Sequence, residues 1–219
     1  MKRTHRKTLA FLLLASFVSV GSACAAELAA DVAQVRDRWA QINYRLPKKE
    51  REAAFEALSK QAASARAAHP QQADALIWEG IVLSSLAGEK GGMGALGLVK
   101  QARGDFEAAL KLDSRALGGA AYTSLGALYY QVPGWPLGFG NDNTARQMLG
   151  KGLEIDPSGI DANYFYGDFL RDQGQWAEAR AAFEKALAAP ARPGREVADA
   201  GRRAEAQAKL DEVKRHLAH

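Results

Sequence analysis

The chain has 219 residues, 47% hydrophobic and 25% charged, with a single cysteine, which bounds one domain of ordinary size and excludes an intrachain disulfide. Its 29 basic and 25 acidic residues give a net charge of +4, yet Lys2, Arg3, Arg6 and Lys7 precede position 27 with no acidic residue among them. The remainder is formally neutral, which gives no support to a basic surface for nucleic acid or anionic lipid.

Residues 1–26 read as a secretory signal peptide. The four cations are followed by an apolar run from Leu9 to Val20 and an Ala-x-Ala-like cleavage site at Ala23-Cys24-Ala25. That run of about 12 residues falls short of the ~20 needed to span a bilayer. Cys24 has two readings. It leaves with the signal, or it is lipidated, since Gly21-Ser22-Ala23-Cys24 partly fits a lipoprotein site that usually begins with a leucine-like residue. Attachment to a membrane is expected only through Cys24.

Helical patterning is nearly continuous from there on. Residues 27–45 and 48–68 form an N-terminal helical pair within a segment 27–70, interrupted by Pro47 and stopped at His69-Pro70. Within residues 71–190, Trp78, Gly80 and Leu83 mark a first helix, and Ala102, Phe106, Ala109 and Leu110 mark its partner. The next pair carries Tyr122, Leu125, Gly126 and Tyr129, then a helix over about 143–155 that stops before Pro157. Long loops are expected within both pairs, at 87–95 and 131–141. The last pair, 161–187, is the fullest: Gly167, Leu170, Gly174, Trp176, Ala179, Phe183, Ala186 and Leu187. Small residues let two helices approach, aromatic ones fill the remaining space, and Gly174 turns the chain.

This order of small and bulky residues resembles the tetratricopeptide repeat, in which one unit cannot bury its own apolar face and must stack on neighbours. The loops exceed the ~34-residue period by about ten and about seven residues. The expected fold is all-α: a right-handed superhelical solenoid of antiparallel helix pairs. Residues 191–219 supply a capping helix over about 197–217, with Ala204, Leu210, Val213 and Leu217 on its apolar face and Arg202, Arg203, Lys209, Lys214 and Arg215 on its solvated one.

No catalytic constellation emerges. His69, His216 and His219 lack the spacing of a zinc site. The glycine pattern at 92–97 matches a dinucleotide fingerprint only literally, because no strand precedes it; an inter-helix loop is expected there. Ser124 lacks the leading glycine of a nucleophile elbow, and Asp168 with Asp172 reads as a solvated helix face. No catalytic residue, metal or cofactor is assigned.

The concave stripe of a repeat solenoid would comprise Asp74, Ile77, Ile81, Ser84 and Ser85, then Ala120, Thr123, Ala127 and Tyr130, then Asp161, Tyr164, Asp168, Arg171 and Asp172. Such a surface suits a peptide or a partly apolar ligand. The loop around Trp135, Leu137 and Phe139 is unusually apolar. It either folds back on its own solenoid or contacts a ligand or partner. The binding set assigned from the sequence is Tyr130, Trp135, Phe139, Tyr164, Asp168 and Arg171.

The loop 132–140, the Asp156-Pro157 stop, the helix 161–168 and the Pro193-Gly194-Arg195 turn resemble the TatT-type accessory components of TRAP transporters, a likeness covering about Trp78 to Leu210. The resemblance implies a periplasmic helical solenoid, often lipid-anchored, that associates with a substrate-binding protein. It also implies oligomerisation around a pore admitting a small apolar ligand. Two functions are thus expected: a non-enzymatic scaffold for a protein or peptide partner, and, in competition, a carrier of a small apolar ligand.

Overall fold

The computed structural model describes residues 28–218, which form nine α-helices and no strand. They are α1 (Ala30–Arg45), α2 (Lys48–Ala68), α3 (Ala73–Lys90), α4 (Gly92–Leu112), α5 (Ala116–Gln131), α6 (Asp142–Ile155), α7 (Ile160–Asp172), α8 (Trp176–Ala188) and α9 (Glu196–Leu217). The protein is all-α, as the patterning implied. The expected signal peptide, residues 1–26, and Cys24 lie outside the described residues.

Prolines and caps set several boundaries. Pro47 precedes α2, where a missing N–H costs nothing. The Asn141 side chain accepts a hydrogen bond from the Thr144 N–H at 2.8 Å and caps α6. Gly91 and Gly174 leave α3 and α7 with positive φ, 64° and 70°.

Consecutive helices pack as antiparallel pairs. Gly119 faces Ile155, Gly152 faces Thr123 and Gly126 faces Leu149, so contacts climb α5 while descending α6. A Cβ on Gly126 would come within 2.5 Å of Leu149 Cγ, and one on Gly80 within 2.6 Å of the Phe106 ring. Gly167 does the same for Phe183. Here the glycines serve as sockets for a buried partner, the close approach that the sequence pattern required.

The odd-numbered helices also touch one another. α1 contacts α3, α3 contacts α5, α5 contacts α7, α7 contacts α9, and α9 returns to α1. Asp161 pairs with Arg202, Asp168 with Lys209 and Arg171 with Glu212, a constant offset that makes α7 and α9 parallel. At the closure Gly201 lies against the Tyr44 ring, and Ala198 joins the apolar cluster of α1, α2 and α3. The five odd helices therefore make a closed inner ring, with α2, α4, α6 and α8 outside it.

Three expectations need correction. No loop occupies 87–95: apart from Gly91 the segment is helical, and the extra residues lengthen α3 and α4 instead. No proline interrupts it, and Gly94 and Gly97 sit on α4 facing open space, so the glycine pattern belongs to a helix. The last helix does more than cap, since it packs on α8, α7 and α1. Its buried stripe is Ala198, Arg202, Ala206, Leu210 and Val213, whereas Ala204 is exposed. Arg202, expected in solvent, is buried because carboxylates and aromatic faces await it there.

Two carboxylates sit inside the wall between α3 and α4. Glu79 and Asp105 are both buried, Arg66 reaches Glu79 at 3.5 Å, and Asp105 Oδ2 has no partner among the described residues. Burial, then the Glu79 charge, push the Asp105 carboxyl up to about 7. A carboxyl raised above its unfolded value holds its proton in the fold. Stability is then greatest at acid pH and falls as pH rises from the ordinary carboxylate range through 7. Asp105→Asn should accordingly raise stability at pH 8 by about 1–2 kcal/mol, after allowance for solvent screening, and change it little at pH 4. Melting temperatures of both proteins at the two pH values check this; equal shifts at both would refute it.

Candidate functional site

The inner ring surrounds a cavity of about 520 Å³ that is partly open to solvent. Every odd helix contributes to its wall: Trp39 from α1, Trp78 and Ile81 from α3, Ala120 and Ala127 from α5, Phe165 from α7 and Arg202 from α9. That volume and a mainly apolar wall with a few convergent polar groups are the usual marks of a small-molecule site.

Local sequence explains how the wall is built. Ser84 and Ser85 bond back to the Gly80 and Ile81 carbonyls, which keeps their hydroxyls on the inner face of α3. Ser85 Oγ also accepts from Trp39 Nε1 at 2.8 Å and fixes that indole plane. Leu117, Gly118 and Gly119 have φ of 49°, 66° and 76°, a left-handed turn that brings Leu117 to the cavity. Leu117 pays about 1–2 kcal/mol for that conformation.

The polar side of the wall comes from α7, α9 and the segment before α9. Arg202 donates to Asp161 at 2.8 Å and to Glu205 at 2.7 Å, and its guanidinium lies 4.3 Å from the Tyr164 ring centroid and 4.7 Å from that of Phe165. Arg192 donates to Asp161 at 2.8 Å and to Asp199 at 2.6 Å. Burial would raise the Asp161 carboxyl, but Arg202 and Arg192 outweigh it and hold the group at about 2. Arg195 differs. It lies 5.1 Å from the Trp78 ring centroid, and its Nε has no partner among the described residues. Burial, then repulsion from Arg192, pull it below the ordinary arginine value.

Of the concave stripe read from the sequence, Ile81, Ser84, Ser85, Ala120, Thr123, Ala127 and Asp161 do line the cavity. Ile77 is instead fully buried in the core, and Asp74, Tyr130, Tyr164, Asp168, Arg171 and Asp172 lie off the lining. Tyr130, Asp168 and Arg171 meet in one network. The Tyr130 hydroxyl donates to Asp168 at 2.8 Å, Lys209 donates to its other oxygen at 2.6 Å, and Arg171 bridges Asp168 at 3.0 Å and Glu212 at 3.2 Å. Burial, reinforced by Asp168, raises the Tyr130 hydroxyl well above its ordinary value. These contacts tie α5, α7 and α9 together and leave Arg171 Nε without a partner among the described residues. Tyr164 is buried beside Phe165 and Phe183.

Trp135 and Phe139 lie elsewhere. The loop zips onto itself through Gly138 N–H to the Gly134 carbonyl, Gly140 N–H to the Pro133 carbonyl and Asn141 N–H to the Tyr129 carbonyl. It therefore does not extend across the concave face. Phe139 packs edge-on against Tyr129 and under Arg103, on the α4 side. Trp135 is 89% exposed and Leu137 70%.

Sequence reasoning missed the contributions of α1 and α9, namely Arg36, Trp39, Asn43, Arg195, Arg202 and Glu205. The available signal was the seven-residue spacing of Arg202 on α9 and Arg195 at its N-cap, about two helical turns apart. Among the described residues no group of three or more acidic, histidine or cysteine side chains could hold a metal ion, and no helix is long and apolar enough to cross a membrane. No family model matches this chain, and no match is found among curated proteins.

Proposed function

We propose that this protein is a non-enzymatic exported carrier that captures a small, largely apolar molecule inside its helical ring. The supporting observation is the 520 Å³ cavity walled by all five inner helices and by Trp39, Trp78, Phe106 and Phe165. A closed ring favours enclosure of a small molecule over an extended peptide, because α9 meets α1 where an open solenoid would offer a groove. On this reading the helix pairs are tetratricopeptide-like repeats wound with right-handed curvature, and the long α2 and α4 act as outer staves. Periplasmic residence, with or without a lipid on Cys24, follows from the leader-like first 26 residues.

A second role, docking to a protein, is favoured by one separate observation. Trp135 and Leu137 stand exposed on a self-braced loop outside the cavity. Rigid exposed aromatics are typical interface anchors. Delivery to a transporter's substrate-binding protein, as the TatT-type resemblance implies, would use both surfaces. Trp135→Ala should then weaken capture of that protein by about 2 kcal/mol while stability moves by less than ~0.5 kcal/mol. A stability loss with unchanged capture would mean that the loop only braces its own fold.

Native mass spectrometry of protein purified from its own compartment tests the main reading. A single co-purifying small molecule, lost when Ala127→Phe fills the cavity, is expected. A stoichiometric polypeptide with no small molecule would favour the scaffold.

A further inference from the structure

The cavity wall carries four arginines, Arg36, Arg192, Arg195 and Arg202, against three carboxylates, Asp156, Asp161 and Glu205. Arg192 and Arg202 share Asp161, and each has a further carboxylate of its own, Asp199 and Glu205. Arg36 takes its neighbour Asp37 at 2.7 Å. That leaves Arg195. Its side chain makes no ion pair and no hydrogen bond among the described residues, and it is partly buried against Trp78. Trp78 Nε1 is likewise buried with no acceptor.

A partly buried cation with no ion-pair partner is under-solvated, a smaller cost than that of a fully buried one. Lysine can escape that cost by losing its proton, but arginine stays charged. Asp161, Asp199 and Glu205 are engaged by Arg192 and Arg202, Asp156 makes no ion pair with Arg195 or any other cation among the described residues, and Arg192 and Arg36 repel the Arg195 charge. An acceptor from outside the chain relieves the imbalance, and the cavity delivers one directly to this corner. The guanidinium fork and the stacked indole suit a planar, two-oxygen acceptor. Trp39, Ile81, Ala120, Ala127, Leu128 and Phe165 form apolar wall for the rest of such a molecule.

We infer that the ligand of this cavity is an amphipathic anion, with its carboxylate on Arg195 beside Trp78 and its hydrocarbon body along the apolar wall. This rests on the capture reading proposed above. Arg195 is the positioning cation, since Arg36 and Arg192 are already paired with carboxylates.

The test compares decanoate, decanol and decylammonium binding to the purified protein, read by tryptophan fluorescence and by calorimetry. Decanoate is expected to bind at least about tenfold more tightly than decanol, the scale of one charge-assisted pair. Arg195→Gln should weaken decanoate about tenfold and leave decanol unchanged, while Arg195→Lys should keep most of the preference. Equal affinity for decanoate and decanol, preference for decylammonium, or an unaltered preference in Arg195→Gln would each overturn the anion site and leave the capture reading standing. Failure of all three probes to bind would overturn both.

Discussion

Arg202→Ala is expected to destabilise the protein by about 3 kcal/mol, the lower end of the range for breaking a buried ion pair. The lower end applies because Asp161 and Glu205 keep 34% and 38% of their side-chain surface exposed, so solvent screens part of the lost attraction. Arg202 itself is buried, bridges α7 to α9, and covers the faces of Tyr164 and Phe165. Removing it strands Glu205 and leaves Asp161 with Arg192 alone. The loss has a pH signature. Asp161 sits at about 2 in the fold, below the ordinary carboxylate value. Its contribution is therefore present above that ordinary value and disappears as pH falls towards 2. Chemical denaturation at pH 7 and pH 3 should show the wild-type advantage shrinking in acid. A gap that is unchanged, or that widens, would show that Arg202 acts through packing alone.

Phe106→Ala should cost about 3–5 kcal/mol, with a fall in melting temperature of about 2–4 °C per kcal/mol for a chain of this size. Phe106 has no exposed surface, fills the socket left by Gly80, and also reaches the cavity wall. The truncation should join the new void to the cavity. Ligands longer than those of the native protein should then bind the variant, even as its stability drops. Restoring volume with Phe106→Leu should recover roughly half of the loss. Calorimetric melts with a ladder of n-alkyl carboxylates would measure both effects; a variant as stable as the native protein would contradict the socket packing.

Much of this architecture was legible before any coordinates. Pro47 and Pro70 bracketed α2 correctly, and Pro157 marked the end of α6, because proline acts locally, while the Asn141 cap was not read from the sequence. Mapping the concave stripe of a tetratricopeptide solenoid onto the chain placed Ile81, Ser84, Ser85, Ala120, Thr123 and Ala127 on the cavity lining, whereas Asp74, Ile77 and Tyr130 of the same stripe fall off it. What could not be read was how the pairs add up. Ring closure depends on small rotations accumulated over successive helices, and no residue pattern encodes their sum. The consequences fell on the last helix. Arg202 looked like a solvent residue because charge usually means exposure, yet its carboxylate and aromatic partners lie 41 and 38 positions away in sequence. The apolar loop left two readings open, folding back or contacting a partner; its glycines let it bond to its own backbone and turn Trp135 outward.

Closure of the inner helices around the cavity is the claim on which capture depends, and a distance across the α1–α9 seam tests it most directly. Gln41 and Ala204 are exposed on the two helices, and Cys24, the only native cysteine, can be replaced by serine so that labels go only to these positions. Neighbouring helix axes lie about 8–10 Å apart, so a closed ring brings the labels within roughly two such spacings, whereas five inner helices laid out in an open array would separate their ends by about four. Pulsed electron–electron spin resonance on the Gln41→Cys, Ala204→Cys pair should return one narrow, short distance that is unchanged by ligand. A long or broad distribution would mean that α9 does not meet α1, and the cavity inside the ring would not exist.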